Sequence, residues 1–283
     1  MSPKTWLITG CGSGFGHHLT KYALAHNDTV IATSRDPSKL ERKLIPRKLD
    51  LAGPDSEIEA FVKEVLSSVG RVDVLVNNAG YILGGAVEEC STEEINLSLR
   101  INFTSALTLT RALMPSMRAQ NHGIIAVMGS IGGWAGQPGG GIYCASKAAL
   151  ALSMEALRAE LAGCEIEVVS LELGHYRTDV LSDRRIVRAE KRVKEVEDAG
   201  DWMSELSGHQ PGDARKGAEA IYKMLMGMGR WEGRGKLPER LPVGRNAVEA
   251  IGAVLEKHQG VLKEWGNWGM EVDCDDVVRG EAA

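Results

Sequence analysis

Tyr143 and Lys147 stand four residues apart at the start of a helical stretch, so both side chains project from one face. An ammonium beside a phenol favours the phenolate and draws the tyrosine pKa toward the working range, which is the chemistry of a general acid–base pair. Ser130 ends the preceding apolar run, thirteen residues before Tyr143. The glycines between them (Gly132, Gly133, Gly136, Gly139, Gly140 and Gly141) suit a connection that passes close to a ligand. The same tyrosine–lysine spacing also occurs on ordinary helix surfaces, so its meaning depends on what stands around it.

The first apolar run leads into Thr9-Gly10-Cys11-Gly12-Ser13-Gly14-Phe15-Gly16. Glycines permit a sharp turn out of a strand and let backbone amides approach a pyrophosphate, while the following helix points its positive end at the same anion. An ordinary strand-to-helix turn also uses glycine; the position directly after the first strand favours a dinucleotide-binding loop. The second apolar run ends at Ser34-Arg35-Asp36. A site selective for NAD places a carboxylate at this strand end, whereas Ser34 followed by Arg35 suits the 2′-phosphate of NADP(H). Asp36 keeps the opposite reading open, because a strand one residue longer would present its carboxylate.

These groups need a scaffold, and the alternation of patterns supplies one. Apolar, strand-like runs at residues 5–9, 29–33, 46–49, 72–76, 124–128 and 166–171 are separated by helical periodicities at 15–26, 58–69, 92–118 and 143–161. Buried strands bounded by turns and separated by helices predict an α/β fold: a doubly wound, Rossmann-type parallel sheet of about seven strands covered on both faces. Beyond residue 178 the pattern changes: 183–205 is charged and predicts a helix, 212–228 another, 238–242 a short strand and 246–265 a last helix. No repeat or second α/β series appears, so one domain spanning 1–283 is expected, with a cofactor and catalytic core at 4–180 and lid elements at 181–283.

Composition narrows the class of partner. A hydrophobic fraction of 43% is enough for a well-buried core, and a net charge of −5 without long runs of one sign argues against nucleic acid or an anionic membrane as partner. The opening residues lack the pattern of a secretory leader, and no segment reaches the ~18 apolar residues of a membrane span. The five cysteines are scattered without a CxxC pair and the histidines show no ligand spacing, so structural thiols, no metal and a cytoplasmic address are expected.

Taken in order, these motifs resemble those of the short-chain dehydrogenase/reductase family over about residues 4–180. The loop from Thr9 to Gly16 is similar to the family's TGxxxGxG, and Asn77-Asn78-Ala79-Gly80 to its NNAG segment after the fourth strand. Asn102 falls where the family's helix asparagine is expected, completing an Asn-Ser-Tyr-Lys tetrad with Ser130, Tyr143 and Lys147. The resemblance implies an oxidoreductase in which Tyr143 is the general acid or base and Lys147 binds the nicotinamide ribose and lowers the tyrosine pKa. Ser130 would donate to the substrate oxygen, and Asn102 would hold a water linking Lys147 to solvent. It also implies contacts to NADPH or NADP+ from Gly10, Gly12, Ser13, Gly14, Phe15, Gly16, Ser34, Arg35, Asp50, Leu51, Asn77, Ala79, Gly80, Gly174 and Thr178. The substrate would be a small-molecule ketone or secondary alcohol, and the assembly a homodimer or homotetramer through the two long helices. The ending around residues 237–244 resembles that of reductases acting on secondary or lipid-like metabolites.

The chain departs from the family pattern at two places. Leu173-Gly174-His175-Tyr176-Arg177-Thr178 has leucine where the family's PGxxxT has proline, which is expected to loosen the turn after the sixth strand, and Gly129 stands where a second serine is often found. Trp202, Met203, Trp231 and Tyr176 are candidates either for an apolar pocket or for the core, and Met224, Met226 and Met228 for core or lid packing. The basic run at 184–192 reads as a solvated helix face or, less simply, an anion contact. The scaffold would also serve a cofactor-binding protein without turnover, or a non-redox step such as cyclisation or dehydration.

Overall fold

Seven short runs, Thr5–Ile8 (β1), Thr29–Ser34 (β2), Ile45–Lys48 (β3), Val74–Asn77 (β4), Gly123–Met128 (β5), Ile166–Leu173 (β6) and Arg240–Val243 (β7), pair in parallel in the order β7-β6-β5-β4-β1-β2-β3. This is the expected doubly wound Rossmann-type sheet. The computed structural model describes residues 2–41, 44–182, 185–196 and 198–269. Every residue of β4 and β5 is buried, as a sheet covered on both faces requires.

Alternation along each strand divides the core into two layers. Trp6, Ile8, Val74 and Val76 pack under Gly14–Ala25 (α1) and Ala214–Leu225 (α7). Leu7, Ile31, Leu75 and Ile125 pack under Asp55–Val69 (α2), Ser105–Gln120 (α4) and Gly141–Glu160 (α5). Among the described residues the other α-helices are Thr92–Leu99 (α3), Asp201–Leu206 (α6) and Arg245–Gly269 (α8). The chain reverses its direction of travel across the sheet between β1 and β4, and the crevice beyond their C-terminal ends is where such folds take ligands. No described helix is long and apolar enough to cross a membrane.

Two expectations about helices need correction. The helix expected over 92–118 contains a wide π turn at Arg100–Thr104 between α3 and α4. The charged segment 183–205 is not one helix: its described residues form a short strand at Val187–Arg188, a 3-10 turn at Lys194–Val196 and then α6, with Asp183, Arg184 and Glu197 outside the described residues. Its backbone is held from below. Val187 N donates to Ile82 O at 3.0 Å and Ala189 N to Gly84 O at 2.8 Å. The carboxylates of Glu89 and Glu94 accept from Val193 N at 2.9 Å and Glu190 N at 3.0 Å. The amides of Val193 and Ala86 hold the Glu89 carboxyl below the usual range.

The edge strand β7 is fastened to β6 by more than its ladder. The Glu172 side chain, fully buried, accepts from Arg240 Nε at 3.0 Å through Oε1 and from Ser130 N at 3.2 Å through Oε2. The Arg240 guanidinium lies 3.9 Å over the Trp134 ring, and its Nη2 donates to Gly133 O at 3.2 Å. A Cβ at Gly129 would stand 2.9 Å from Glu172 Oε1 and 2.7 Å from Ser170 Oγ, so the buried carboxylate accounts for glycine there. Leu173 does not loosen the turn, because β6 keeps register with β7 through Leu173 and Val243, and Gly174 N donates to Val243 O at 3.2 Å. Removing one partner of a buried ion pair leaves the other charged and desolvated, so Arg240→Met is expected to lower stability by about 3–5 kcal/mol, with Glu172→Leu/Arg240→Met recovering most of it. Urea unfolding of the two variants checks this.

Candidate active site

The glycine loop is shaped by contacts that a side chain would obstruct. Gly10 has φ +70, and a Cβ there would lie 2.9 Å from Ala79 Cα; at Gly16 it would lie 2.6 Å from both Asn78 Nδ2 and Gly10 O. The neighbouring segment clamps the loop. Thr9 Oγ1 accepts from Asn78 N at 3.0 Å and Ala79 N at 2.9 Å, and Asn78 Nδ2 donates to Thr9 O at 2.7 Å. The α1 N-terminus begins at Ser13 with no side-chain cap and no acidic residue in its first turn, which leaves backbone donors for an anion.

The other sequence-predicted cofactor residues differ in what their side chains do. Phe15 is core, packed edge-on against Tyr176 at 4.8 Å, so only its backbone faces the loop; Leu51 is likewise in the core. Asn77 turns toward α4, its Nδ2 donating to Thr110 Oγ1 at 3.3 Å, while Asn78 does the clamping. Ser34 Oγ lies 3.6 Å from where a Gly12 Cβ would stand. Arg35 is exposed, and the Asp36 carboxylate accepts from Ser38 N at 3.2 Å and Ser38 Oγ at 2.6 Å, capping the turn Pro37–Lys39. Asp50 is exposed and accepts from Ala52 N at 3.0 Å. Thr178, distant in sequence, places its methyl 3.6 Å from where a Gly14 Cβ would stand.

The four tetrad positions meet through two glycines. A Cβ at Gly132 would touch Ser130 Oγ at 3.4 Å and Tyr143 Cε1 at 3.5 Å; one at Gly80 would touch Asn102 Oδ1 at 3.0 Å and Lys147 Nζ at 3.6 Å. The π turn sets Asn102 to bridge: Oδ1 accepts from Tyr81 N at 3.0 Å, and Nδ2 donates to Tyr81 O at 2.9 Å and Ser146 Oγ at 3.2 Å. Ser130 Oγ accepts from Gly132 N at 3.0 Å. Lys147 Nζ donates to Met128 O at 2.7 Å and lies 5.7 Å from the Tyr143 ring centroid.

The electrostatics differ from the simple expectation of an ammonium lowering a phenol. Burial pushes the Tyr143 hydroxyl up to about 12, opposed by its hydrogen bond with Ser130 rather than by Lys147. Burial also lowers Lys147 to about 8, with the Glu172 carboxylate acting in the opposite direction. Desolvation therefore outweighs attraction in this pair, and at neutral pH the phenol is protonated and most of the lysine is cationic.

Ser130 and Tyr143 open into a pocket also lined by Ile82, Tyr176, Leu181, Trp202, Met203 and Gln210, with about 600 Å³ of space counting its open mouth. Of the four lid candidates, Tyr176, Trp202 and Met203 reach it; Trp231 packs against the α1–α7 core layer instead, as do Met224, Met226 and Met228. Ile82 and Gln210 carried no sequence signal, since neither belongs to a motif and only the fold brings them here. The described residues hold no cluster fit for a metal ion, and Cys11, Cys90, Cys144 and Cys164 are free thiols.

Comparison with known proteins agrees with this geometry. The short chain dehydrogenase family profile matches residues 4–188. The chain is 30% identical over 272 residues to Oxidoreductase BOA17 of Botryotinia fuckeliana, covering 93% of this chain and 96% of that protein. It is 36% identical over 186 residues to a 3-ketodihydrosphingosine reductase of Bacteroides thetaiotaomicron, covering 66% and 69%. A short-chain dehydrogenase from Streptomyces avermitilis superposes with a TM-score of 0.86 at 32% identity, over 96% of this chain and 99% of that one. The chain belongs to the short-chain dehydrogenase/reductase family of oxidoreductases.

Proposed function

We propose that this protein is an NADP(H)-dependent oxidoreductase that interconverts a ketone and a secondary alcohol, with reduction as its favoured direction. The observation that carries the reading is the convergence of two hydroxyls, Ser130 and Tyr143, on one cavity with the buried Lys147 ammonium behind them. The reductase among its relatives supports a carbonyl substrate.

The loop fits a dinucleotide. The uncapped α1 N-terminus and the glycine positions that exclude a Cβ offer backbone amides to a pyrophosphate. Ser34 and the exposed Arg35 would hold a 2′-phosphate, and the engagement of Asp36 with Ser38 supports NADP(H) over NAD. When bound, the dinucleotide supplies or accepts the hydride.

The chain's own residues then manage the oxygen. Ser130 and Tyr143 hydrogen-bond the carbonyl, and Tyr143 gives its proton as negative charge develops there. A phenol held near 12 is fully protonated at neutral pH, which suits a proton donor. Lys147 stabilises the phenolate left behind, and Asn102, tied to Tyr81 and Ser146, fixes the wall opposite the ammonium. Tyr143→Phe is expected to cut kcat by about a hundred- to ten-thousand-fold with NADPH binding retained; undiminished reduction by the variant would overturn Tyr143 as the proton donor. By titration calorimetry, Arg35→Ala is expected to weaken NADPH about ten- to hundredfold while leaving NADH unchanged.

Lys147 also marks the cofactor-free protein through its pKa, lowered from 10.5 to about 8. Below pH 8 folded and unfolded chains both carry the proton, and the folded state bears the full desolvation penalty. Between pH 8 and 10.5 the unfolded chain binds more protons, so stability rises with pH. Lys147→Met is therefore expected to stabilise the cofactor-free protein by about 1–3 kcal/mol at pH 7 while abolishing turnover. The gain should shrink between pH 8 and 10.5 in denaturant titrations.

A further inference from the structure

Gln210 is 1% exposed, and neither its Nε2 nor its Oε1 has a hydrogen-bond partner among the described residues. Gln210 is one of the residues lining the cavity that holds Ser130 and Tyr143, as is a second carboxamide residue, Gln137. The backbone carrying Gln210 is fixed. Arg177 Nη2 donates to Gln210 O at 3.2 Å, Gly212 N donates to His175 O at 3.0 Å, and Gly212–Asp213 pairs with Tyr176–Arg177. A buried carboxamide brings two N–H donors and an acceptor oxygen, and leaving all of them unmade is costly. Such groups are uncommon in native proteins, and a ligand that supplies the missing partner accounts for one that faces a cavity.

The rest of the wall says what kind of ligand. Ile82, Ile131, Leu181 and Met203 are apolar, and the Trp202 indole N–H is already spent on Pro138 O at 2.9 Å, leaving the ring to face the cavity. His175 is kept neutral by burial, its pKa lowered. Among the described residues no lysine, arginine, aspartate or glutamate lines the cavity, so a carboxylate entering it would be desolvated without a counter-ion.

Building on the oxidoreductase reading above, we infer that the substrate is an uncharged, largely apolar ketone or alcohol carrying a second neutral hydrogen-bonding group. That group pairs with the Gln210 carboxamide while the reacting oxygen meets Ser130 and Tyr143.

The test uses the full chain with NADPH and a matched set: 1-tetralone, its 5-, 6- and 7-hydroxy derivatives, and a carboxylated tetralone. At least one hydroxy isomer is expected to exceed 1-tetralone in kcat/KM by about tenfold or more, because a site built to hydrogen-bond a polar group discriminates against the analogue lacking it. The carboxylate should be the poorest member. Gln210→Leu, or the longer Gln210→Met where leucine does not fold, should bring that ratio to within about twofold, by loss of activity on the preferred hydroxy isomer, while the NADPH Kd stays at its wild-type value. No preference for any hydroxy isomer, or a preference that survives the substitution, overturns the inference and leaves the reductase reading standing. A weakened NADPH Kd with the preference intact also overturns it and assigns the carboxamide to the cofactor. Better turnover of the carboxylate than of 1-tetralone overturns the uncharged class. If wild type binds NADPH but reduces none of the set, this inference is overturned, whereas failure to bind NADPH at all would overturn the reductase reading.

Discussion

The Lys147 ammonium is 5% exposed and donates to the Met128 carbonyl at 2.7 Å. A buried cation is costly, and what partial compensation it receives comes from the fold rather than from a direct ion pair. The carbonyl belongs to the last residue of β5, so the end of that strand must stop at one place relative to α5. The Glu172 carboxylate nearby favours the charged lysine, but it disfavours the ionised tyrosine by the same sign of charge. Glu172 is itself tethered to Arg240 on β7 and to Ser130 N, so the positions of β5, β6, β7 and α5 and the electrostatics of the site depend on one another.

A second constraint operates at the switch between β1 and β4. The Thr9 hydroxyl accepts from two successive amides after β4, while Asn78 reaches back to the carbonyls of Thr9 and Gly10. The loop thus carries its bends without help from a ligand, and its α1 amides point outward without a side-chain cap. Preorganisation of this kind lowers the ordering cost of binding an anion. It also explains why the two Asn of the segment are not equivalent: Asn77 serves α4, and Asn78 serves the loop.

The sheet and tetrad were legible because their signals are local. Apolar runs between turns locate β1–β6, and the spacing of Tyr143 from Lys147 is a property of any helix that begins near Gly141. The π turn was not legible, since residues 92–118 keep helical periodicity and nothing in Arg100–Thr104 by itself widens a turn. The segment 183–205 misled for a physical reason. Its charges satisfy the pattern of a solvated helix, but its amides find acceptors at Ile82, Gly84, Glu89 and Glu94, more than ninety residues away in sequence. Gln210 and Glu172 were invisible for a related reason: a polar residue shows its worth only when the fold decides whether it is buried and what it meets. The expected direction of the Tyr143 shift failed likewise, because spacing gives proximity to an ammonium but not the desolvation that outweighs it.

These two kinds of legibility separate chemistry from choice of substrate. The four tetrad residues sit at the end of β5, in the π turn and on α5, where burial and backbone contacts fix them. Much of the remaining cavity wall lies on connections after β6, from Tyr176 to Gln210, held by backbone hydrogen bonds and a few carboxylates, with Ile82 and Ile131 added from the connections after β4 and β5. Such connections tolerate changes in length and sequence far better than the sheet does. A chain built this way can retain its acid–base machinery while its lid redefines shape and polarity. That division also explains why the family is readable from motifs while the substrate must be read from buried side chains that belong to none.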